Sequence, residues 1–459
     1  MSSISSVVDP SIPLTLLLPS LLALSILVKV AMLQFAVLSQ NVLLPSLLCV
    51  RDSTSSPELC SLPPVPYVLC KGAARVFDLL DYFNAPDVDL LGALGVVSLT
   101  LEMCFLSLPL LTFLGVDSFD KRRLYTRGRA ELLVVSVLFS PLQMLLTEGM
   151  SSLCVVGVGM AVNTTLALCC DNIGVAAVLA TLAAHSDPFL VYFLLPVCIR
   201  SLALSVYRRS LKPLAKALSA ICVTGLLVQL SVAALTPSVP LSEGLTVLPP
   251  LSVYLLPTSL PYLELPRWIL VTAAIPFLLP SMYPLLRQAD IAPHVAVYSC
   301  CAAALGGFLT LARDGASILS TNMVLSLASC REAFTPAASQ VLAALVYAPE
   351  LVRGHRHVLP MLVLSVLYLS ATRAMSQLSR ATHYRRPLTL NTAINRTVQT
   401  TFLATAVISV GMAVVAQKLI GAGPLVSVLV WVRRLASAGY LLALYAYVSQ
   451  RAWTSSDTV

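Results

Sequence analysis

Apolar runs long enough to cross a bilayer recur along this 459-residue chain, and they constrain its fold more than any other feature. The first covers residues 14–38, and a helix needs about 20 apolar residues to span the hydrocarbon core. Only 11% of the residues are charged, whereas an average soluble domain carries about 25%. So few charges could not cover the surface of a soluble fold. The composition therefore excludes soluble enzymes, disordered scaffolds and nucleic-acid-binding domains.

The type of apolar residue predicts the fold class. Leu, Ala and Val dominate and only 7% of the residues are aromatic, which is typical of membrane helices rather than of barrel strands. The sequence predicts an all-α, polytopic membrane helical bundle with about 10–13 transmembrane or partly embedded helices, several of them short and broken by proline. We expect one multi-pass domain over residues 1–459, with a loop carrying an amphipathic helix at 39–90 and a short tail at 451–459.

Basic residues between the apolar runs predict the orientation of the chain. Residues 121–129 form the most basic short loop, and residues 208–216 form a second basic cluster. Cytoplasmic loops carry an excess of Lys and Arg, so both are predicted to be cytoplasmic. The loop at 39–90 is then lumenal. Cys60 and Cys70 could pair there, and the sequence leaves that pairing open.

The run at residues 132–204 is apolar but interrupted. Its breaks lie at residues 147–152, 171–172 and 185–188, and Pro141, Pro188 and Pro196 disturb it further. Interrupted helices are tolerated at membrane depth where they are buried in protein or line a cavity. The sequence therefore predicts a helix-lined groove in this region.

Residues 71–81 show the spacing of a short amphipathic helix. Val76, Leu79 and Leu80 recur at i, i+3 and i+4, with charged residues on the other side. Such a helix can lie on a membrane surface. We expect these three residues, with Asp81, to form an interface with partner subunits or with the edge of a lipid site.

A search for catalytic motifs finds no HExxH, GxSxG or P-loop pattern. No cysteine or histidine spacing indicates a metal site. Asp81, Asp87 and Asp89 could supply the general base of a glycosyltransferase that uses a lipid-linked sugar. The alternative for Asp87 and Asp89 is a solvated turn after Pro86. This alternative is favoured, because an isolated Asp-x-Asp spacing is weak evidence for a catalytic site.

Two charges interrupt the apolar runs. Lys29 and Glu102 could neutralise each other or contact a lipid head group, since unpaired charges in a membrane are costly. Alternatively, each residue lies near the interface between membrane and water. The long stem of Lys29 favours the interface for that residue, and both interpretations stay open for Glu102.

Several short segments carry a family resemblance, and they follow one another in order. They are Leu79-Leu80-Asp81, Ser140-Pro141, Ser151-Ser152, Asn163-Thr164, Met282-Tyr283-Pro284-Leu285-Leu286-Arg287, and Arg385-Arg386-Pro387 leading into Asn391 and Asn395. In this order they resemble the PIG-U-type multispanning subunit of glycosylphosphatidylinositol (GPI) transamidase. That subunit is related in architecture to multispanning lipid-linked-sugar glycosyltransferases. Ser140 stands where the family has Asn, and the interval before Asn163 is longer.

The resemblance implies a non-catalytic subunit of the endoplasmic reticulum membrane, without a cofactor. It would help to bind the GPI lipid or the C-terminal signal of substrate proteins, and would scaffold the complex for GPI-anchor attachment. Its partners would be the other transamidase subunits, including a caspase-like cysteine protease subunit. A glycosyltransferase of the endoplasmic reticulum is the alternative. A transporter ranks last, because the chain shows no convincing inverted repeat.

A GPI lipid site needs a groove with a few polar groups at its rim. For this role we expect Ser152 and Asn163 in the interrupted region, and Asn391, Asn395 and Arg396 at the head group, with Arg396 pairing to phosphate. The alternative for Asn163 is a hydrogen bond between helices, which is the favoured interpretation. The alternative for Arg396 is that it orients the following span.

Overall fold

A computed structural model describes residues 19–20, 22–28, 30, 43–51, 60, 62–84, 87–112, 138–139, 152–236 and 267–286, together with residues 295, 298–299, 301–303, 305, 442 and 445. All regular structure in these ranges is helical, and no strand occurs among them. The predicted all-α class is thus confirmed for this part of the chain. Lys29, the loop at 121–129, and Asn391, Asn395 and Arg396 lie outside the described residues.

Eight α-helices organise the described ranges. They are α1 (Leu43–Arg51), α2 (Pro64–Leu79), α3 (Asp87–Glu102), α4 (Ser152–Cys169), α5 (Ile173–Ser186), α6 (Leu194–Tyr207), α7 (Lys212–Leu235) and α8 (Arg267–Met282). A π-helical turn, Met103–Ser107, follows α3, and 3₁₀ turns cover Tyr82–Asn84, Pro188–Phe193 and Tyr283–Leu286.

Three helical segments are long and apolar enough to cross a membrane: Gly92–Thr112, Leu190–Tyr207 and Lys212–Leu235. Helix α5 is also apolar but has only 14 residues. At 1.5 Å per residue it is about 21 Å long, which is less than the roughly 30 Å of a bilayer core.

Helices α4 and α5 form an antiparallel hairpin that we call the interior hairpin. Its turn contains Asp171 in the left-handed region, with φ 53°, and this turn confirms the predicted break at 171–172. Helix α5 packs between α4 and α7, and α4 also packs against α3. All residues from Val155 to Cys169 are buried. The hairpin therefore forms the centre of the described bundle.

The bundle has two distinct ends. The hairpin turn and the α6–α7 turn lie together at one end, because Arg200 of α6 reaches Asp171 and Lys216 of α7 lies beside Gly174. We call this the basic end. Helix α2 covers the opposite end, where the Thr236 hydroxyl donates to the Tyr67 hydroxyl oxygen at 3.2 Å.

Helix α2 differs from the helix predicted at 71–81. It begins at Pro64, because proline suits the first helical turn, where its missing N–H has no acceptor to lose. Its packed face contains Tyr67, Cys70, Ala74 and Phe77. Val76 and its apolar neighbours are exposed on the opposite side.

The disulfide near α2 also differs from the pairing that the sequence left open. Cys60 is bonded to Cys49 of α1, while Cys70 is a free, buried cysteine. Only the polar part of the segment at 39–90 suggested a pairing, whereas Cys49 lies in its apolar part, which folds as α1. The bridge therefore ties the segment before α2 to α1.

Candidate functional site

The interior hairpin contains a series of buried polar side chains. Most of its hydroxyl groups are satisfied within their own helix, since Thr164, Thr165 and Thr181 each donate to the carbonyl four residues earlier, at 2.7–3.0 Å. Among the described residues, three buried side-chain atoms have no hydrogen-bond partner: Asn163 Oδ1, His185 Nε2 and Gln229 Nε2. These atoms are the candidates for contact with a ligand, because buried polar groups are otherwise paired.

Asn163 connects α4 to the π turn after α3. Its Nδ2 donates to the Phe105 carbonyl at 3.0 Å and to the Gly159 carbonyl at 2.7 Å. A π turn disturbs the regular hydrogen-bond ladder, so a carbonyl there can accept from a neighbouring helix. Asn163 thus makes the helix–helix hydrogen bond that was the alternative to a lipid contact, and its Oδ1 remains for another partner.

Gly159 allows this close approach of α4 to the π turn. A Cβ atom at this position would meet the carbonyl oxygen of Phe105 and would lie 2.8 Å from its carbonyl carbon. Both are backbone atoms, which cannot move aside as a flexible side chain can. Any larger residue would therefore separate the two helices and stretch the Asn163 hydrogen bond.

Glu102 is buried at the end of α3, with 1% of its surface exposed. The Ser107 hydroxyl donates to Glu102 Oε1 at 3.4 Å across the π turn. Glu102 lies in the middle of the segment Gly92–Thr112, which argues against a position near an interface. A carboxylate in such a place needs polar partners, and the π turn directs one hydroxyl toward it.

An ion pair between a buried arginine and an exposed aspartate, whose side chain is 42% exposed, anchors the basic end. Arg200 is 4% exposed, and its Nε and Nη2 donate to the two carboxylate oxygens of Asp171 at 3.0 and 3.2 Å. Two parallel bonds of this kind fix orientation as well as contributing energy. The pair therefore holds the hairpin turn against α6. Arg208, Arg209 and Lys212 are exposed nearby.

The structure does not bring the expected lipid-binding residues together in one place. Ser152 begins α4 at the end opposite the basic end. Asn163 lies eleven residues further along the same helix, which corresponds to about 16 Å. A single small head group cannot contact both. Asn391, Asn395 and Arg396 lie outside the described residues.

The expected interface on α2 is exposed. The exposed fractions are 54% for Val76, 85% for Leu79 and 57% for Leu80. Asp81 follows the helix in the left-handed region and accepts a hydrogen bond from Asn84 Nδ2 at 2.7 Å. These side chains are available to a partner or to a lipid surface.

The buried side of α2 has no activated nucleophile at its cysteine. Burial raises the pKa of the Cys70 thiol to about 12, so the thiol is protonated at neutral pH, and only the thiolate attacks a substrate. Within the described ranges, no group of three His, Cys, Asp or Glu side chains could hold a metal ion.

Neither His185 nor Gln229 was predicted from the sequence as a site residue. Each is a single polar residue within an apolar run, a signal that also fits ordinary helix packing. Comparison with known proteins adds no assignment, since no family matches the chain and no curated protein is significantly similar to it.

Proposed function

We propose that this chain is a non-catalytic, multi-pass subunit of GPI transamidase in the endoplasmic reticulum membrane. It helps to bind the GPI lipid or the C-terminal signal of a substrate protein, and it scaffolds the complex. The ordered family resemblance supports the assignment. Three helices that are long and apolar enough to cross a membrane agree with it.

The observation that carries the proposal is the interior hairpin. Helix α5 is too short to cross a bilayer alone, yet its neighbours bury it and it carries polar side chains. Short helices of this kind are stable in a membrane only where protein surrounds them or where they line a cavity. The hairpin therefore holds Asn163 and His185 inside the membrane part of the subunit, where both side chains are fully buried.

Orientation follows from the charges. The basic end faces the cytoplasm because Arg208, Arg209, Lys212 and Lys216 lie there. Helix α2 is then lumenal, and Val76, Leu79 and Leu80 face the lumenal membrane surface or another subunit. Anchor attachment takes place on that side, and the caspase-like subunit supplies the nucleophile.

Co-purification tests the assignment. The full chain, isolated in mild detergent, should co-purify with a caspase-like cysteine protease subunit. Depletion of this chain from cells should reduce the amount of GPI-anchored reporter proteins at the cell surface. The double substitution Leu79→Asp and Leu80→Asp should reduce assembly without preventing membrane insertion. Purification of the chain alone, together with unchanged reporters after depletion, would contradict the proposal.

A second pair of variants tests the head-group contacts. Arg396→Ala and Asn395→Ala should lower photocrosslinking to a GPI lipid probe while co-purification stays intact, because Arg396 pairs with phosphate. Single Asn substitutions of Asp81, Asp87 and Asp89 serve as the comparison. If the chain is a scaffold, these substitutions should have only a mild effect on its activity in anchor attachment. If it is a glycosyltransferase, they should abolish its activity, because such an enzyme needs its general base.

A further inference from the structure

The turn between α6 and α7 gives the basic end an excess of positive charge. Its four exposed basic side chains are Arg208, Arg209, Lys212 and Lys216. Residues 188–242 contain no Asp or Glu, and no ion pair joins any of the four to another described residue. In the neighbouring hairpin turn, both carboxylate oxygens of Asp171 already accept from Arg200. Among the described residues, the four charges therefore stay without a counter-charge.

The same turn lies where two candidate spans meet the membrane boundary. The apolar segment Leu190–Tyr207 ends directly before it, and Lys212–Leu235 begins directly after it. Exposed tyrosines also mark this level, since Tyr207 and Tyr283 are both exposed, and the Tyr207 hydroxyl donates to the Leu286 carbonyl oxygen. Tyrosine is enriched at membrane–water interfaces. The four cations therefore lie at the depth of the lipid head groups.

An exposed leucine lies among these cations. Leu211 is 75% exposed in the turn itself, immediately before Lys212. A surface that combines basic and apolar side chains suits a membrane interface, where the apolar groups reach the acyl boundary and the cations meet the head groups. An acidic protein or a soluble anion would leave Leu211 in water.

The cations at the start of α7 also oppose the stability of that helix. Lys212 and Lys216 lie in its first two turns, and its first turn contains no acidic residue, although the helix dipole favours negative charge there. The N–H groups of Lys212 and Leu214 donate to the hydroxyl oxygens of Ser210 and Ser205, at 3.4 and 3.1 Å. An anion would thus be held by the basic side chains rather than by these amides. Such a local conflict is expected where a segment serves a function.

The disulfide gives an independent orientation. Cys49 and Cys60 are bonded at the opposite end of the bundle, because Cys60 packs in the same apolar cluster as Leu235, the last residue of α7. Disulfides persist in oxidising compartments and are rare in the cytosol. The basic end then faces the cytoplasm, and the cytoplasmic leaflet contains anionic phosphatidylserine and phosphatidylinositol lipids.

We propose that the basic end binds the head groups of anionic phospholipids in the cytoplasmic leaflet. Arg208, Arg209 and Lys212 contact the phosphate and carboxylate groups, and Leu211 inserts beside the acyl chains. Orientation of a membrane protein requires only that cations occur in the loop. Here they are also exposed, without ion-pair partners among the described residues, and grouped around an exposed leucine. This inference does not depend on the transamidase assignment.

Quenching of a tryptophan by brominated lipid tests the proposal. The full chain with Leu211→Trp is reconstituted in phosphatidylcholine vesicles that contain a fixed fraction of brominated phosphatidylserine or brominated phosphatidylcholine. The signal of the parent chain is subtracted. Phosphatidylserine should quench as though it bound about fivefold more tightly than phosphatidylcholine, the contribution expected of one cation near an anionic surface. The matched control is Leu79→Trp, at an exposed leucine of α2 beside Asp78, which the two lipids should quench equally.

Removal of the charges should abolish the preference. The variant Arg208→Gln, Arg209→Asn and Lys212→Gln should be quenched equally by the two lipids. Asn is chosen at position 209 because Arg209 lies in the left-handed region, with φ 46°. Its unfolding midpoint in phosphatidylcholine micelles should not fall, since these cations lack ion-pair partners among the described residues. Salt at 1 M, which reduces the Debye length to about 3 Å, should have the same effect on the preference without any charge substitution.

Three results would overturn the proposal. The first is equal quenching of Leu211→Trp by the two lipids at low salt. The second is a preference that survives both the charge substitutions and 1 M salt, or that is as large at Leu79→Trp. The third is the absence of quenching by either lipid, which would place the turn outside the bilayer and favour an acidic protein partner instead.

Discussion

Helices α4 and α7 are both apolar, yet their surroundings differ. In α4 the whole stretch from Val155 to Cys169 is buried. In α7 one stripe is buried, while Leu218, Val223 and Leu227 are exposed along the other side. Apolar composition therefore does not distinguish a helix in the centre of this bundle from one at its periphery.

The two helices nevertheless bury the same kinds of residue. Helix α4 buries Gly159 and the polar Asn163, and the buried stripe of α7 contains Gly225 and the polar Gln229. Small residues allow helix backbones to approach closely, and polar side chains then connect them. The two helices therefore differ in how much of their circumference is packed, rather than in the residues that pack.

The largest expected effect concerns the closest contact of α4. Gly159→Ala should lower the free energy of unfolding by about 3 kcal/mol, at the upper end for overpacking, because the new methyl group meets the backbone of Phe105. Unfolding in mixed detergent micelles measures this. The matched control is Gly92→Ala in α3, where a Cβ atom would meet nothing within 4 Å. There the higher helix propensity of alanine should raise the free energy of unfolding by about 0.5–1 kcal/mol. Equal effects at the two glycines would show that α4 is not tightly packed.

A smaller effect is expected at the turn of the interior hairpin. Asp171→Asn should lower the free energy of unfolding by about 2 kcal/mol, since it weakens two charge-assisted hydrogen bonds to the buried Arg200. Asn tolerates the left-handed backbone that Asp171 adopts. The same unfolding titration measures the change.

Asp81→Asn is the control for that substitution. Asp81 also lies in the left-handed region, but it is exposed and its hydrogen bond from Asn84 can be kept by an amide oxygen. We expect almost no change in the free energy of unfolding. A comparable loss at both positions would mean that the ion pair does not anchor the hairpin.

Much of the helix pattern could be predicted because polar residues interrupt apolar runs. The predicted breaks at residues 171–172 and 185–188 follow from such interruptions, and helix α5 lies between them. The start of α2 was not predicted, because Pro63, Pro64 and Pro66 are as typical of a loop as of a first helical turn. The sequence also could not show which side of α2 packs inward, since apolar residues occur on both.

The candidate site was harder to predict than the helices. Ser152 and Asn163 were expected to line one groove, but Asn163 lies eleven residues further along helix α4, which corresponds to about 16 Å. His185 and Gln229 are single polar residues within apolar runs, and hydropathy gives no sign that a side-chain nitrogen of each is buried without a partner among the described residues.

The smallest effect is expected within α7 itself, at two adjacent residues. Val228→Ala should lower the free energy of unfolding by about 1 kcal/mol, because buried methyl groups are lost while helix propensity improves slightly. Leu227→Ala removes a larger side chain, but Leu227 is 58% exposed, so in detergent its loss should stay below about 0.5 kcal/mol. A larger loss at Leu227 than at Val228 would mean that another part of the assembly covers the outer side of α7. In that case α7 would be as interior as α4, and the contrast between the two helices would disappear.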